Sequence, residues 1–279
     1  MNRLYTVIGI VLAFLLSFFL FVLSFVGVTS LTLMKEEYLL FMLDKTSYYD
    51  GVYSEYIKDL KKGAGAAGFD PSIYDDFLSV EEVKKDAQQY IQQYFQDNSI
   101  YQVKEQMVNK LEQHIMRKVK QQNIVIEEED EQRLQSYIEV NAKGYEKFVQ
   151  FPFIKYIEQG ISMMNRIVPF VLGICFVLVC TCIFILYRLF LPNKREWWFI
   201  SVAFAGAGWM LITIPCLMLI SKVIERIVLE PEYFYQFFNG YIRQYFYILM
   251  MIGIALLICS GIVEICRLKY LRGKVEKVK

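Results

Sequence analysis

Four long apolar runs restrict what this chain can fold into. They cover residues 4–34, 167–191, 197–220 and 246–265, and hydrophobic residues make up 56% of the 279-residue sequence. A helix needs about 20 apolar residues to cross a hydrocarbon core of about 30 Å, and each run reaches that length. Backbone groups in lipid must be satisfied within the segment, which favours helices. The sequence therefore predicts an all-α integral membrane protein with four transmembrane helices: 1–34, 167–191, 197–220 and 246–265.

The first run is either a membrane anchor or a cleaved signal peptide. The small residues Val28, Thr29 and Ser30 would suit a cleavage site. However, the apolar region of a signal peptide is typically about 7–15 residues, and this run is about twice as long. We therefore interpret it as an uncleaved anchor. Residues 35–43 keep helical propensity and an apolar stripe, so we predict one continuous helix from the first span into the polar region that follows.

The polar region at 35–166 predicts a helical extracytoplasmic domain. Its apolar residues recur every three or four positions, which is the spacing of amphipathic helices. Asp70 before a proline is typical of a helix start, and Ser79 with Glu82 has the pattern of a capping box. The glycine-rich stretch 63–68 is predicted to end a helix. The region contains no cysteine, so its helices must be held together by packing alone.

Charge is distributed unevenly along the chain and predicts its orientation. Residues 35–166 hold 23 acidic and 17 basic side chains, whereas segments 1–3, 188–196 and 267–279 together hold 10 basic and 2 acidic. The positive-inside rule then places both termini in the cytoplasm of a cell-membrane protein and residues 35–166 outside. Two segments remain, an external interfacial loop rich in tyrosine and phenylalanine and a basic cytoplasmic tail: 221–245 and 266–279.

Two residue pairs in the apolar runs are candidate sites. Ala203 and Ala207 lie four residues apart and form a small-residue face that allows another helix to approach closely. Glu264 lies near the inner end of the fourth run, three residues before Arg267. An acid within a membrane helix suggests a role in transport or gating. An ion pair between Glu264 and Arg267 at the headgroup boundary also explains it, and we adopt that interpretation.

The sequence contains no recognisable catalytic, cofactor or metal motif. The acidic run 127–131 lacks the alternating spacing and the glycine of a calcium loop, and acids are favoured at the start of a helix. His114 is the single histidine, and we interpret it as a solvated surface residue. The six cysteines lie in or beside apolar runs and form no metal-binding pattern. We therefore predict a protein that is not an enzyme and has no cofactor.

Two stretches, LDKTSYY at 43–49 and LSVEEVKKD at 78–86, resemble the external domain of uncharacterised four-span membrane proteins from Gram-positive bacteria. That resemblance implies a location and an architecture, and it implies no activity. The order of one span, a large external domain and three further spans is also similar to permeases of the FtsX type, which work with a cytoplasmic ATPase. The second similarity is one of topology.

These features predict a non-enzymatic multi-pass membrane protein whose external helical domain binds a partner, senses an envelope state or scaffolds an assembly. The alternative is a permease-like subunit of an ATPase-driven membrane complex. The expected partners are the lipid bilayer and another membrane or envelope protein, or a second copy of the chain. Nucleic acid is not an expected partner, because the basic residues lie where the positive-inside rule requires them.

Overall fold

The computed structural model describes residues 3–66, 69–97, 103–121, 128–152, 154–190 and 196–276. These residues contain no strand, which confirms the all-α prediction. They form α1 Arg3–Leu31, α2 Glu36–Lys45, α3 Tyr48–Ala66, α4 Val80–Asp97, α5 Val103–Gln121, α6 Glu128–Val149, α7 Ile154–Phe190, α8 Glu196–Ile220 and α9 Glu232–Glu276. Two short 3-10 helices lie in the connections, at Pro71–Tyr74 and Ile224–Arg226.

The chain divides into two compact units. The first, here called the apolar unit, is Met1–Tyr38, Gly160–Val228 and Asn239–Lys279. The second, here called the polar unit, is Leu39–Gln159 and Leu229–Phe238. The polar unit thus contains most of the region 35–166 and adds a segment from the predicted loop 221–245.

Four helices among the described residues are long and apolar enough to cross a membrane: Leu4–Leu31, Ile157–Phe190, Glu196–Arg226 and Glu232–Leu271. By length and composition they confirm the prediction of four membrane-spanning helices. Large apolar side chains are exposed on them, including Phe14, Phe170 and Trp209. Such exposure is expected of side chains that face lipid rather than water.

Within the apolar unit, α1 packs along α8 in the same direction. A Cβ on Gly9 would meet the ring of Phe199, and a Cβ on Gly206 would lie 2.5 Å from Ser17 Oγ. Residue numbers therefore rise together along the two helices. Small residues let the two helices approach closely, and the gain in packing offsets the entropy that glycine loses in a helix.

α8 and α9 pack antiparallel, and two separate contacts between them define the same register. Ser201 Oγ donates to the carbonyl of Ser260 at 3.1 Å, and Ser260 Oγ donates to the carbonyl of Ser201 at 2.8 Å. A Cβ on Gly208 would lie 2.7 Å from the carbonyl oxygen of Gly253. The second contact is two helical turns further along both helices, so the register is fixed twice. Because α1 runs with α8 and against α9, both chain termini lie at the same end of this helix group.

The first membrane helix does not continue into the polar region. We predicted one continuous helix, but α1 ends at Leu31 and α2 begins at Glu36. Two threonine hydroxyls near the break bond the carbonyls four residues earlier: Thr29 to Phe25 and Thr32 to Val28. Such bonds compete with the helical ladder and often bend or end a helix.

Three other helices extend beyond their expected limits. α3 continues through Gly63 and Gly65 to Ala66, so the glycine-rich stretch does not end the helix where we predicted, and residues 67–68 lie outside the described ones. α7 begins at Ile154, well before residue 167. α9 begins at Glu232, so much of the predicted loop 221–245 is helical.

The polar unit has a well-packed interior formed by α2 to α6. Its helix starts follow the local signals. Asp70 accepts a hydrogen bond from the backbone of Ser72, and the backbones and side chains of Ser79 and Glu82 bond reciprocally, which confirms both predicted caps. The buried side chains include Leu43, Val52, Leu60, Val83, Ile91, Leu111, Ile115, Ile138, Ala142 and Tyr145.

Candidate functional site

A cluster of aromatic rings joins three distant segments of the polar unit. Tyr48 opens α3, Phe151 follows the end of α6, and Tyr233 and Phe237 lie in the first two turns of α9. The Tyr48 ring centre is 5.8 Å from that of Phe151, 5.1 Å from Tyr233 and 5.7 Å from Phe237. Offset and edge-to-face ring pairs at such distances stabilise by about 0.5–1.5 kcal/mol each beyond the area they bury. The cluster therefore holds the start of α9 within the polar unit.

This cluster corrects our interpretation of the aromatic run at 233–238 as interfacial. Phe234 and Phe237 are only 6% and 3% exposed. Phe234 packs on Phe151, with ring centres 5.9 Å apart. Aromatic residues beside a membrane helix are typical of the lipid interface, but these two side chains are buried within the polar unit.

Gly51 allows α3 and α9 to come together at this point. A Cβ on Gly51 would lie 2.2 Å from Tyr233 Cβ and 2.6 Å from its Cγ. No real Cβ contact is that short, so any other residue at position 51 would push the two segments apart. The aromatic cluster and Gly51 together determine where the N-terminal end of α9 lies in this unit.

An open groove, here called the α3 groove, runs over this junction. It encloses about 1220 Å³, and its lining comes from α3, from the end of α6 and from the segment that begins α9. Every lining residue belongs to the polar unit. The lining residues that carry charge or an aromatic ring are Asp50, Glu55, Lys58, Lys147, Phe148, Glu230, Glu232 and Tyr233.

Carboxylates outnumber ammonium groups in the α3 groove, and none of them is in an ion pair with a described residue. Asp50 and Glu55 come from α3, and Glu230 and Glu232 come from the other wall. Glu232 accepts a hydrogen bond from Gln236 Nε2 at 3.2 Å, within the same helix. The lining lysines, Lys58 and Lys147, likewise form no ion pair with the part of the chain that the structure describes. The walls therefore present fixed charges to whatever enters.

Several lysines elsewhere in the polar unit are paired with acids. Lys61 lies 2.5 Å from Asp75, and Lys110 lies 2.6 Å from Glu82. Lys84 pairs with Asp44 and Lys118 with Asp76. Ion pairs at a surface are weak individually, but each of these places a counterion beside its lysine. The lysines that line the α3 groove, Lys58 and Lys147, have no such counterion among the described residues.

Two ionisable groups beneath the surface of the polar unit are perturbed by burial. The Tyr48 hydroxyl is buried and has no hydrogen-bond partner among the described residues, and burial raises the pKa of Tyr48 well above its ordinary value. Burial also raises the pKa of Asp86, although Tyr145 donates a hydrogen bond of 2.7 Å to its Oδ2. The unit therefore keeps a neutral tyrosine below the groove and a partly desolvated carboxylate between α4 and α6.

The structure places the predicted candidate residues in the apolar unit, apart from the α3 groove. Ala203 and Ala207 are fully buried in a cluster with α1 residues Ala13 and Leu16. Arg267 Nη1 lies 3.1 Å from Glu264 Oε1, and both side chains are partly exposed. Ala203 and Ala207 thus take part in helix packing, and Glu264 and Arg267 form an ion pair within α9.

His114 contradicts our interpretation of it as a solvated residue. It is 8% exposed, its Nε2 lies 2.6 Å from the carbonyl oxygen of Ile73, and its ring packs edge-on against Phe77 at 5.1 Å. Within the described residues no group of three or more His, Cys, Asp or Glu side chains could hold a metal ion. Glu127, the first residue of the predicted acidic run, lies outside the described residues, and the run continues in the first turn of α6.

Sequence reasoning missed the α3 groove because its walls are far apart in the chain. The lining from α3 and the lining from α9 are separated by all of α4 to α8. One local signal was present: Glu230 and Glu232 directly precede an aromatic run and place two carboxylates beside the start of α9. In comparisons with protein families, curated proteins and solved structures, nothing matches this chain.

Proposed function

We propose that this chain is a non-enzymatic multi-pass protein of the cell membrane whose external helical domain binds a partner through the α3 groove. Both termini are cytoplasmic and residues 35–166 are external in this proposal. The observation that carries it is the groove itself: an open, charged surface built from three separate segments, whose carboxylates and lysines form no ion pair with a described residue. A bound partner could provide counterions for the groove's charged side chains, which have no ion-pair partner among the described residues.

The packing of the apolar unit supports the proposed topology. α1 runs with α8 and against α9, so the two chain ends lie at one end of the helix group. An even number of spans requires that arrangement. The charge asymmetry then assigns that end to the cytoplasm, because the short segments there are basic.

A crosslinking experiment in native membranes tests the binding function. A photoreactive amino acid at Ser54, an exposed groove residue, is compared with one at Glu139, which is exposed on α6 outside the groove. We expect one protein, identified by mass spectrometry and recovered in the reciprocal pull-down, to be crosslinked from position 54 and not from 139. Equal crosslinking from both positions, or none from either, would contradict the proposal.

The topology has its own test. A reporter that is active only in the cytoplasm, fused after Lys279, should be active. A second reporter inserted at the exposed Gly65 should report an external location. A silent C-terminal reporter would overturn the four-span arrangement whatever the groove binds.

One observation favours the permease-like alternative. α7 and α9 each begin in the polar unit and continue without interruption into the apolar unit. A subunit that is driven by a cytoplasmic ATPase needs helices of this kind to carry a change from one unit to the other. Co-purification of an ATPase with the full chain in mild detergent, lost when the basic tail 266–279 is removed, would favour this candidate.

A further inference from the structure

We infer that the partner enters the α3 groove as an extended segment of polypeptide that carries at least two lysine or arginine side chains. This inference rests on the proposed binding function and adds the chemistry of the bound segment. Three properties of the groove lead to it: the sign and arrangement of its charges, its dimensions, and the aromatic rings in its walls.

The first property is charge. Asp50 on α3 faces the segment that contains Glu230 and Glu232, because Gly51 brings α3 against Tyr233. Three carboxylates therefore lie at the same end of the groove, two on one wall and one on the other. A cation that enters this part of the groove would gain charge-assisted hydrogen bonds to these carboxylates.

The groove is not acidic along its whole length. Lys58 lies about two helical turns beyond Asp50 on α3, and Lys147 joins the lining from the end of α6. A ligand that carried positive charge along its whole length would be repelled by these lysines. The occupant must therefore be a chain with its basic side chains at one end, and a polypeptide provides such an arrangement where a uniform polycation does not.

The second property is size. The volume of about 1220 Å³ exceeds the roughly 300–1,000 Å³ of ordinary small-molecule pockets. The α3 lining runs from Ser47 to Lys58, which at 1.5 Å per residue is about 16 Å of helix. An extended peptide rises about 3.3 Å per residue, so roughly five residues span that length.

The third property is the aromatic lining. Tyr233 and Phe148 are both partly exposed in the groove, one on each side of the α3 wall. Lysine and arginine carry long apolar stems below their charged heads, and these stems pack on aromatic rings while the head reaches a carboxylate. A compact inorganic cation could use the carboxylates but would gain nothing from these rings.

The test uses the full chain in nanodiscs of a zwitterionic lipid and a fluorescein-labelled peptide, read by fluorescence anisotropy. The peptide, here called the Lys-Ser peptide, has two lysines followed by four serines, so its basic side chains lie at one end. The groove variant is the double substitution Asp50→Asn and Glu232→Gln. Its matched control is Glu112→Gln with Glu139→Gln, which removes the same charge from exposed positions outside the groove. We expect the groove variant to bind roughly tenfold more weakly and the control to stay within about twofold of the unsubstituted chain.

A charge-reversal variant distinguishes loss of the groove's charges from loss of its fold. Asp50→Lys with Glu232→Lys should lose the Lys-Ser peptide and gain binding of a matched Glu-Ser peptide, which an unfolded groove would not do. Equal weakening by the groove and control variants would show attraction to the overall acidic domain and would overturn the inference. Displacement of the peptide by spermine at equal affinity would overturn it as well, because the site would then accept any organic polycation.

The inference and the proposed function can fail separately. If a partner crosslinks from position 54 but the Lys-Ser peptide does not bind, the proposed binding function stands and the inference of a basic segment is wrong. Peptide binding with no partner crosslinked from position 54 would instead leave the groove chemistry in place and remove the proposed function.

Discussion

Gly51→Ala should separate α3 from the start of α9 within the polar unit. The added Cβ would lie 2.2 Å from Tyr233 Cβ, an atom that no side-chain rotation can move. Carbon atoms in contact sit about 3.5–4.0 Å apart, so the two segments must separate by more than about 1 Å. Overpacking of this kind typically costs about 1–3 kcal/mol. Alanine in a helix returns about 0.5–1 kcal/mol relative to glycine, which offsets only part of that cost.

Gly65→Ala provides the matched control. Gly65 lies in the same helix, and a Cβ there would meet nothing within 4 Å. Both substitutions carry the helix-propensity gain, so the difference between them isolates the contact with Tyr233. That difference should be about 1–3 kcal/mol, and the control alone should be neutral or slightly stabilising.

Hydrogen exchange of the full chain in detergent, followed by mass spectrometry, measures this difference locally. Amides of 229–238 should exchange roughly 5–150-fold faster in Gly51→Ala than in Gly65→Ala, while amides at the centre of α5 should change little. If the two variants protect 229–238 equally, the close approach at Gly51 does not hold α9 in place. The account of the aromatic junction would then be wrong.

Three further sets of substitutions test the remaining packing. Ser201→Ala should weaken the α8–α9 contact by about 0.6–2 kcal/mol in a denaturant titration, and Ser260→Ala in the same chain should add little because the two hydroxyls act as one pair. Ala203→Leu should cost about 1–3 kcal/mol by overpacking against α1, whereas Val202→Leu, on the exposed face, should cost almost nothing. Asp86→Asn should raise the protection of α4 amides at pH 7. Burial raises the pKa of Asp86 in the folded chain, so the ionised form opposes folding above that pKa, and the advantage of Asn should disappear as the pH falls below 3.8.

Features that depend on neighbours in the chain were predictable. The caps at Asp70 and Ser79 need only residues within three positions, and the four apolar runs need only their own composition. The end of α1 also depends on nearby residues. We did not predict it, because the long apolar run indicated a helix that continues past Thr29 and Thr32. Thr29 and Thr32 each bond a carbonyl four residues back, and this outweighed the helical propensity of the residues that follow.

Features that depend on distant partners were not predictable. His114 is buried because Ile73, in another segment, offers its carbonyl, and no pattern around position 114 reveals that. Likewise Ala203 and Ala207 indicated that some helix would approach, while only the structure shows that α1 is that helix. The α3 groove could not be predicted for the same reason, because α3 and the start of α9, which both line it, lie far apart in the chain.

The packing of α9 on α8 limits how α9 can move within the apolar unit. Its first turns carry Tyr233 and Phe237 of the aromatic junction, and the same unbroken helix carries Gly253 and Ser260. Sliding α9 past α8 by one turn would break the serine pair and would drive the backbone at Gly253 against a residue larger than Gly208. Both losses occur together because the two contacts share one register. Within the apolar unit, a movement of α9 must therefore tilt or rotate α8 with it, rather than slide along it.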